Sequence, residues 1–109
     1  MKHLVEFRSY TLKPASRDKF HQIVTEQSMP MLKRWNMDVV AYGPSLHDEN
    51  TYYVIRRFDS LAQREQMEES YYSSDWRQGP REAMLALIEN YIDIVLELDE
   101  VTVNGLRGI

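Results

Sequence analysis

The sequence predicts one α+β domain in which helices cover one face of a four-stranded antiparallel sheet. Apolar residues alternate, or are β-branched and aromatic, in four short stretches, which is typical of strands. Between the first and second stretch, and again between the third and fourth, apolar residues recur three and four positions apart, as in helices. A chain of 109 residues can bury one core and not two. Residues 1–109 are therefore expected to form a single domain.

The first predicted element is a strand over residues 3–12, which are rich in Val, Phe, Tyr and Thr. Because successive side chains of a strand point to opposite faces, Val5 and Phe7 should share one face of the sheet. The opposite face then carries a charged and aromatic set, which consists of Glu6, Arg8 and Tyr10.

The first predicted helix follows Lys13-Pro14, because proline ends the strand and suits a first helical turn. Pro30 lies inside the helical pattern and is expected to kink the helix, since it lacks a backbone donor. The pattern is lost at Asn36, where the helix should end. Its inward face is formed by Phe20, Ile23, Val24, Gln27, Met31 and Trp35.

The middle of the chain predicts a hairpin whose strands cover residues 39–43 and 51–58. The connection between them is polar and rich in turn residues. Whichever alternate residues of the two strands are assigned to each face of the sheet, both faces receive aromatic or β-branched side chains. A sheet face of this kind favours a cover, either a second subunit or a bound ligand. The side chains in question are Tyr42, Tyr52, Tyr53, Val54 and Ile55.

A second helical region is predicted from two N-terminal caps. Ser60 and Gln63 match a capping box, in which the serine side chain accepts from the third backbone N–H of the helix. A further cap at Ser74 predicts another helical segment, which continues to Tyr91 with a break or kink at Gly79-Pro80.

The last predicted strand runs from Ile92 to Asp99, where apolar and polar residues alternate. Val101 and Val103 extend it as further strand, and a loose end follows from Asn104. The resulting order of elements, β-α-β-β-α-β, is the ferredoxin-like arrangement, with the helices on one face of the sheet.

Composition excludes several classes of protein. The chain has no cysteine, which rules out disulfides, thiolate metal sites and cysteine nucleophiles. Its net charge of -4 disfavours a nucleic-acid-binding surface, although residues 1–57 carry nine basic against six acidic residues and are locally positive. No apolar run approaches the ~18 residues of a spanning helix, and Glu6 interrupts any N-terminal signal region. We therefore expect a cytoplasmic protein without membrane insertion.

Four segments resemble motifs of NIPSNAP-family domains: Phe7–Pro14, Met29–Leu32, Arg57–Glu65 and Asp75-Trp76. Their order and spacing carry the resemblance, which covers about residues 4–99 of the chain. Such domains belong to the dimeric α+β barrel superfamily, so the resemblance implies a homodimer in which two ferredoxin-like sheets face each other and enclose a cavity. The sequence departs from the usual family pattern at three positions, with Ala15 for a glycine, Arg56 for a tryptophan and Phe58 for a tyrosine.

The candidate ligand site combines Arg8 and Tyr10, two residues apart on one strand face, with Arg57 or Arg56 of the third strand. A guanidinium presents a planar fork suited to a carboxylate, and a phenol can donate to an oxyanion. The alternative is structural, with Arg8 paired to a nearby carboxylate (Glu6 or Glu97) and Tyr10 packed across the dimer. The aromatic walls of the predicted pocket are assigned to Tyr42, Tyr53 and Trp76. Tyr71 and Tyr72 lie near Trp76 and could roof the cavity with it, and the alternative for Trp76 is a place in the core beneath the helix.

No catalytic motif is recognisable, since the sequence has neither a Gly-x-Ser-x-Gly elbow nor a glycine loop for phosphate. Glu97, which could act as a base near Arg8, and His21 are the only candidates for acid–base work. The stretch His47-Asp48-Glu49 fits a solvated loop better than a cation site, so neither a metal nor a cofactor is expected.

Three functions remain open on these grounds. The first is a NIPSNAP-like homodimer that binds a small anionic or aromatic molecule in the barrel cavity. The second is a cofactor-independent monooxygenase or isomerase, as other members of the superfamily are. The third is a non-catalytic dimeric interaction module whose acidic second half meets a basic partner.

Overall fold

The computed structural model describes residues 2–108 and contains one four-stranded antiparallel sheet. Its strands lie in the order β2-β3-β1-β4, so the first and third strands are central and the second and fourth are edges. This confirms the predicted α+β class and the ferredoxin-like order of elements. The strands are β1 (Lys2–Leu12), β2 (Asp38–Pro44), β3 (Thr51–Phe58) and β4 (Ile88–Asp99).

The helices lie in the two connections predicted for them and at the end of the chain. A π-helical turn, Val24–Ser28, separates the first two helices. The helices are α1 (Arg17–Ile23), α2 (Met29–Arg34), α3 (Leu61–Ser73), α4 (Asp75–Gln78), α5 (Arg81–Leu85) and α6 (Glu100–Arg107).

The first helical region begins at Arg17, three residues later than predicted, because Ala15 occupies a left-handed turn with φ 62°. Pro30 lies in the first turn of α2, where its missing N–H is tolerated. The wider π-helical turn immediately before it gives the proline ring room beside the preceding carbonyls. The expected kink therefore takes the form of this turn.

The predicted capping box at the start of α3 is present. The N–H of Gln63 donates to Ser60 Oγ at 3.1 Å. The Gln63 side chain reaches back one residue further than expected, accepting from the N–H of Asp59 at 2.6 Å. At the second predicted cap, Ser74 Oγ instead donates to the carbonyl of Ser70 at 2.5 Å. These bonds fix where α3 begins and ends.

Two sequence-based predictions about the last part of the chain are wrong. The last strand begins at Ile88, so Tyr91 is not helical but lies in β4 opposite Tyr10. The segment after Asp99 is the helix α6 and not a strand with a loose end. The Asp99 side chain caps it by accepting from the N–H of Thr102 at 2.8 Å. Because the helix is capped in this way, Val103 is carried onto the sheet.

The two faces of the sheet are covered to different extents. On one face, α1 to α5 pack on the strands and bury most of the core, including Phe20 and Tyr52. On the other face, α6 packs Val103 against Val5 and holds its position through a bidentate pair between Arg107 and Asp38, at 2.6 and 2.7 Å. Beyond α6 this second face is open, and it exposes apolar side chains of β4: Ile92 is 64% exposed and Ile94 is 60% exposed.

Candidate functional site

A cavity of about 370 Å³ lies between the sheet and the helices that cover it. Its walls come from the helix-facing side of β1, β3 and β4 and from the helical regions on either side of the hairpin. Most of the wall is apolar or aromatic: Val24, Met29, Leu32, Val54, Tyr71, Trp76, Met84, Leu85 and Ile88. The polar lining residues are Arg8, Tyr10, Ser28, Arg56, Tyr72, Arg81 and Tyr91.

Met84 anchors the apolar part of the wall through two bonds to its sulfur. The indole N–H of Trp76 donates to Met84 Sδ at 3.3 Å, and Ser28 Oγ lies 3.5 Å from the same atom. Trp76 also meets Tyr72 edge to face, with ring centroids 5.1 Å apart. These contacts hold the indole ring of Trp76 in one orientation at the cavity wall.

The hydroxyl of Tyr72 is the point at which the polar lining converges. Arg8 Nη1 donates to the Tyr72 oxygen at 2.8 Å, and Arg56 Nη1 donates to the same atom at 2.9 Å. A phenol oxygen has two lone pairs and one O–H. Both lone pairs are thus taken by guanidinium groups, and the O–H remains to donate.

The Nε and Nη2 atoms of both arginines donate to carboxylates of the protein. Arg8 makes a bidentate pair with Asp93, at 2.7 Å from Nε and 2.9 Å from Nη2. Arg56 donates to one oxygen of Glu6 from Nε at 3.0 Å and from Nη2 at 2.6 Å. Arg64 joins the two pairs, donating to Glu6 Oε2 at 2.6 Å and to Asp93 Oδ2 at 3.1 Å.

Glu68 completes this arrangement without a hydrogen bond to one of its oxygens. Its Oε2 is buried and has no hydrogen-bond partner among the described residues, and Arg56 Nη2 lies 3.5 Å away. Arg64 Nη2 and Arg8 Nη2 lie 3.7 and 3.8 Å from Oε1. We refer to the six side chains together as the charge cluster: Glu6, Arg8, Arg56, Arg64, Glu68 and Asp93.

The pKa values of the two glutamates in the charge cluster are shifted in opposite directions. Burial and the neighbouring Glu6 carboxyl raise the pKa of Glu68 to about 7. Burial alone would also raise the pKa of Glu6, but its hydrogen bond with Glu68 and the charges of Arg56 and Arg8 outweigh burial and lower that pKa to about 2. The pair therefore holds one proton, mostly on Glu68, as the pH approaches neutrality from below.

Aromatic rings flank Arg8 on the cavity side. Its guanidinium lies 4.5 Å from the ring centroid of Tyr91 and 5.5 Å from that of Tyr72. Tyr10 packs beside Tyr91, with ring centroids 6.1 Å apart, and burial raises the pKa of Tyr10 to about 12. Tyr10 is therefore a neutral phenol at physiological pH.

The ligand-site residues predicted from the sequence fall into two groups. Arg8, Tyr10 and Trp76 line the cavity. Arg57 and Tyr53 lie on the other face of the sheet, because they pair with Val5 and Ser9, and directly opposed residues share a face. Arg56, the alternative to Arg57, is the arginine that reaches the cavity.

Tyr42 shares the helix-facing side of the sheet but lies on the edge strand β2, outside the cavity lining. Its ring lies 6.4 Å from that of His21. His21 in turn shares a hydrogen bond of 2.6 Å with the hydroxyl of Tyr52. These two predicted residues therefore belong to a separate aromatic contact at the sheet edge.

Glu97 does not approach Arg8. It is exposed and pairs with Leu4, whereas the residue of β4 directly opposite Arg8 is Asp93. Alternation along β4 puts Asp93 and Glu97 on the same face, so only the register of the two strands decides between them. The structural alternative for Arg8, a pair with a carboxylate, is thus present: Asp93 is its hydrogen-bonded partner, and the predicted partner Glu6 lies 3.8 Å from Nε. One Nη1 donor still faces Tyr72.

Two residues of the site were not singled out from the sequence as site candidates, Arg64 and Glu68. Together with Tyr72 they lie four residues apart along α3, which puts all three on one side of the helix. That spacing was the available signal.

Between residues 2 and 108, no group of three acidic or histidine side chains is arranged to hold a metal ion. Within the same range, no helix is long and apolar enough to cross a membrane.

Comparison with known proteins relates this fold to one family. The NIPSNAP family model matches residues 5–96. A NIPSNAP family protein from Agrobacterium tumefaciens is 15% identical, with 90% of this chain and 87% of that one covered and a TM-score of 0.81. A second protein of the family from the same organism, of unknown function, is 20% identical, with 88% and 87% covered and a TM-score of 0.79.

An uncharacterized NIPSNAP-like domain protein from Burkholderia xenovorans is 16% identical, with 90% of this chain and 86% of that one covered and a TM-score of 0.81. A search of the curated proteins finds no match. The solved structures share the fold at low identity, and the family model spans β1 through most of β4. The resemblance seen in the sequence motifs is therefore confirmed, and the chain belongs to the NIPSNAP family.

Proposed function

We propose that the protein binds a small molecule, with an aromatic or apolar body and one polar or anionic end, in the cavity between the sheet and the helices. The single observation that carries this proposal is the convergence of Arg8 and Arg56 on the hydroxyl of Tyr72 at the wall of an otherwise apolar cavity. The volume of about 370 Å³ lies within the range of small-molecule sites.

The charge cluster supports a ligand with a negative or electron-rich end. Its three guanidiniums are opposed by the carboxylates of Glu6 and Asp93 and by Glu68. When Glu68 carries a proton, the cluster has one positive charge in excess. Such a charge in a partly buried site attracts an anion more strongly than it would in water. This location differs from the cavity between two sheets that was expected, because Arg8 and Tyr10 face the helices.

The proposed assembly is a homodimer formed through the open part of the second sheet face. The exposed Ile92 and Ile94 of β4 lie on this face, which α6 leaves uncovered. A second copy of the chain is the occupant implied by the dimeric barrel architecture of the family. Arg57 and Tyr53 lie on the same face and are assigned in this proposal to the interface instead of the ligand cavity.

A pair of matched variants tests the ligand proposal. Leu85 lines the cavity and is 42% exposed, so Leu85→Trp should narrow the cavity from its solvent side without disturbing the core. Leu61, which is 50% exposed at the start of α3, lies outside the cavity lining, and Leu61→Trp is the control.

The measurement is the thermal shift produced by a panel of aromatic acids and phenols. We expect compounds that stabilise the wild-type protein to bind Leu85→Trp at least tenfold more weakly and Leu61→Trp with unchanged affinity. Equal affinity for both variants would place the ligand elsewhere. A complete lack of binding by the panel would favour the interaction module over a ligand-binding protein.

A further inference from the structure

We infer that the cavity selects a ligand whose polar end is a single oxygen, such as a phenol, phenolate or ketone, and discriminates against a carboxylate. This inference rests on the proposed function and names the chemical class that the site would take. The donor that selects the oxygen is the hydroxyl of Tyr72, with Arg8 and Arg56 fixed behind it.

The first argument is that neither buried guanidinium of the cavity wall, that of Arg8 or that of Arg56, has a free fork; Arg81, the third arginine of the lining, is exposed. A carboxylate is bound best by two parallel N–H groups of one arginine. On Arg8 the Nε and Nη2 donors are both bound to Asp93, and on Arg56 the same two donors are bound to Glu6. A ligand carboxylate bound in this way by Arg8 or Arg56 would have to displace Asp93 or Glu6, each of which also holds Arg64.

The second argument concerns the hydroxyl of Tyr72, which the two buried arginines hold in place. The Tyr72 oxygen accepts from both Nη1 atoms, and among the described residues no hydrogen bond uses its O–H. One O–H makes one short bond to a single oxygen, and two positive charges behind the phenol strengthen it as a donor. A phenolate or carbonyl oxygen fits this geometry, whereas the second oxygen of a carboxylate would be left without a partner.

The third argument is that the Tyr72 ring is packed between two aromatic neighbours, which favours the observed position of its hydroxyl. It lies between Tyr71, at 5.0 Å between centroids, and Trp76, at 5.1 Å, and it meets both edge to face. The hydroxyl is thus fixed in position by two ring contacts and two guanidiniums. A flat ligand body placed along the Trp76 side of the cavity would bring its oxygen to this donor.

The test compares 4-nitrophenol with 4-nitrobenzoate, which share the nitrophenyl body and differ in the acidic group. Binding is measured by calorimetry, and the visible spectrum of the phenol reports whether it binds as phenolate. We expect the wild-type protein to bind 4-nitrophenol at least tenfold more tightly than 4-nitrobenzoate. In Tyr72→Phe, affinity for the phenol should fall about tenfold, while affinity for the benzoate should change less than threefold.

Tyr53→Phe, on the opposite sheet face, is the matched control and should bind the phenol like the wild-type protein. Equal or tighter binding of 4-nitrobenzoate by the wild-type protein overturns the inference and leaves the proposed function standing. If neither probe binds, and no other member of the aromatic panel does, both fail. The preference of the wild-type protein decides the question even if Tyr72→Phe does not fold.

Discussion

Replacement of Glu68 by glutamine tests the proton balance of the charge cluster. Glu68 is the member of the cluster whose Oε2 has no hydrogen-bond partner among residues 2–108, although its side chain is only 13% exposed. The amide of glutamine has nearly the shape of a protonated carboxyl and is neutral at every pH. The variant should therefore behave as a protein in which Glu68 is permanently protonated.

The magnitude follows from the difference in proton affinity between the folded and unfolded chain. The pKa of Glu68 is raised by burial and by Glu6 from 4.5 to about 7, so the folded state binds this proton more tightly. Below pH 4.5 the proton is bound in both states, and the stabilising difference is fully present. It is lost as the pH rises through 7, and a shift of this size corresponds to about 3 kcal/mol.

We expect Glu68→Gln to be more stable than the wild-type protein by up to about 3 kcal/mol at pH 8.5 and to differ by less than about 1 kcal/mol at pH 5. Urea unfolding followed by circular dichroism at pH 5, 7 and 8.5 measures the free energy of unfolding. Glu69→Gln, an exposed neighbour on the same helix, is the control and should show no such trend. A difference between wild type and Glu68→Gln that is the same at all three pH values would refute the reasoning.

Two further predictions concern the backbone and the assembly. Ala15 has φ 62°, so Ala15→Gly should raise the free energy of unfolding by about 0.5–1 kcal/mol. The control Ala62→Gly, within α3, should lower the free energy of unfolding by about 1 kcal/mol. A loss of stability in both variants would contradict the argument that the backbone at Ala15 is strained. Ile94→Asp should convert the proposed dimer to a monomer, as measured by light scattering at micromolar concentration. The control Leu46→Asp, in the hairpin loop, should leave the dimer unchanged. A monomeric wild-type protein would contradict the proposed interface.

The fold was largely predictable because its main signals are local. Alternation fixed the two faces of β1, and the Ser60–Gln63 pair fixed the start of α3. The error at the C-terminal end has a specific cause. Val101 and Val103 alternate over only three residues, which a strand and a helix fit equally well. The deciding contacts, the Asp99 cap and the pair between Arg107 and Asp38, depend partly on a residue far away in sequence.

Only part of the site was predictable, because the alternation of side chains along a strand (its parity) assigns residues to a sheet face but not to partners on the neighbouring strand. Parity along β1 correctly put Arg8 and Tyr10 on one face, but it could not choose between Arg56 and Arg57 without the register of β3. It also could not choose between Asp93 and Glu97, which share a face of β4. These choices depend on which strands pair and in which register, and a single sequence without a known turn geometry does not specify either.

The charge cluster itself argues for a ligand more strongly than any one of its residues does. Burying three guanidiniums and three carboxyls between the sheet and the helices costs desolvation energy, which their mutual attraction recovers only in part. Apolar side chains of similar size would stabilise the contact between sheet and helices as well or better. Stability of the fold alone therefore does not explain the cluster. The proposed ligand site does, because the same arginines that hold Glu6 and Asp93 extend one donor each to Tyr72 at the cavity wall. The internal carboxylates hold the guanidiniums in place, and in the proposed function this placement holds the hydroxyl of Tyr72 as the donor to the ligand.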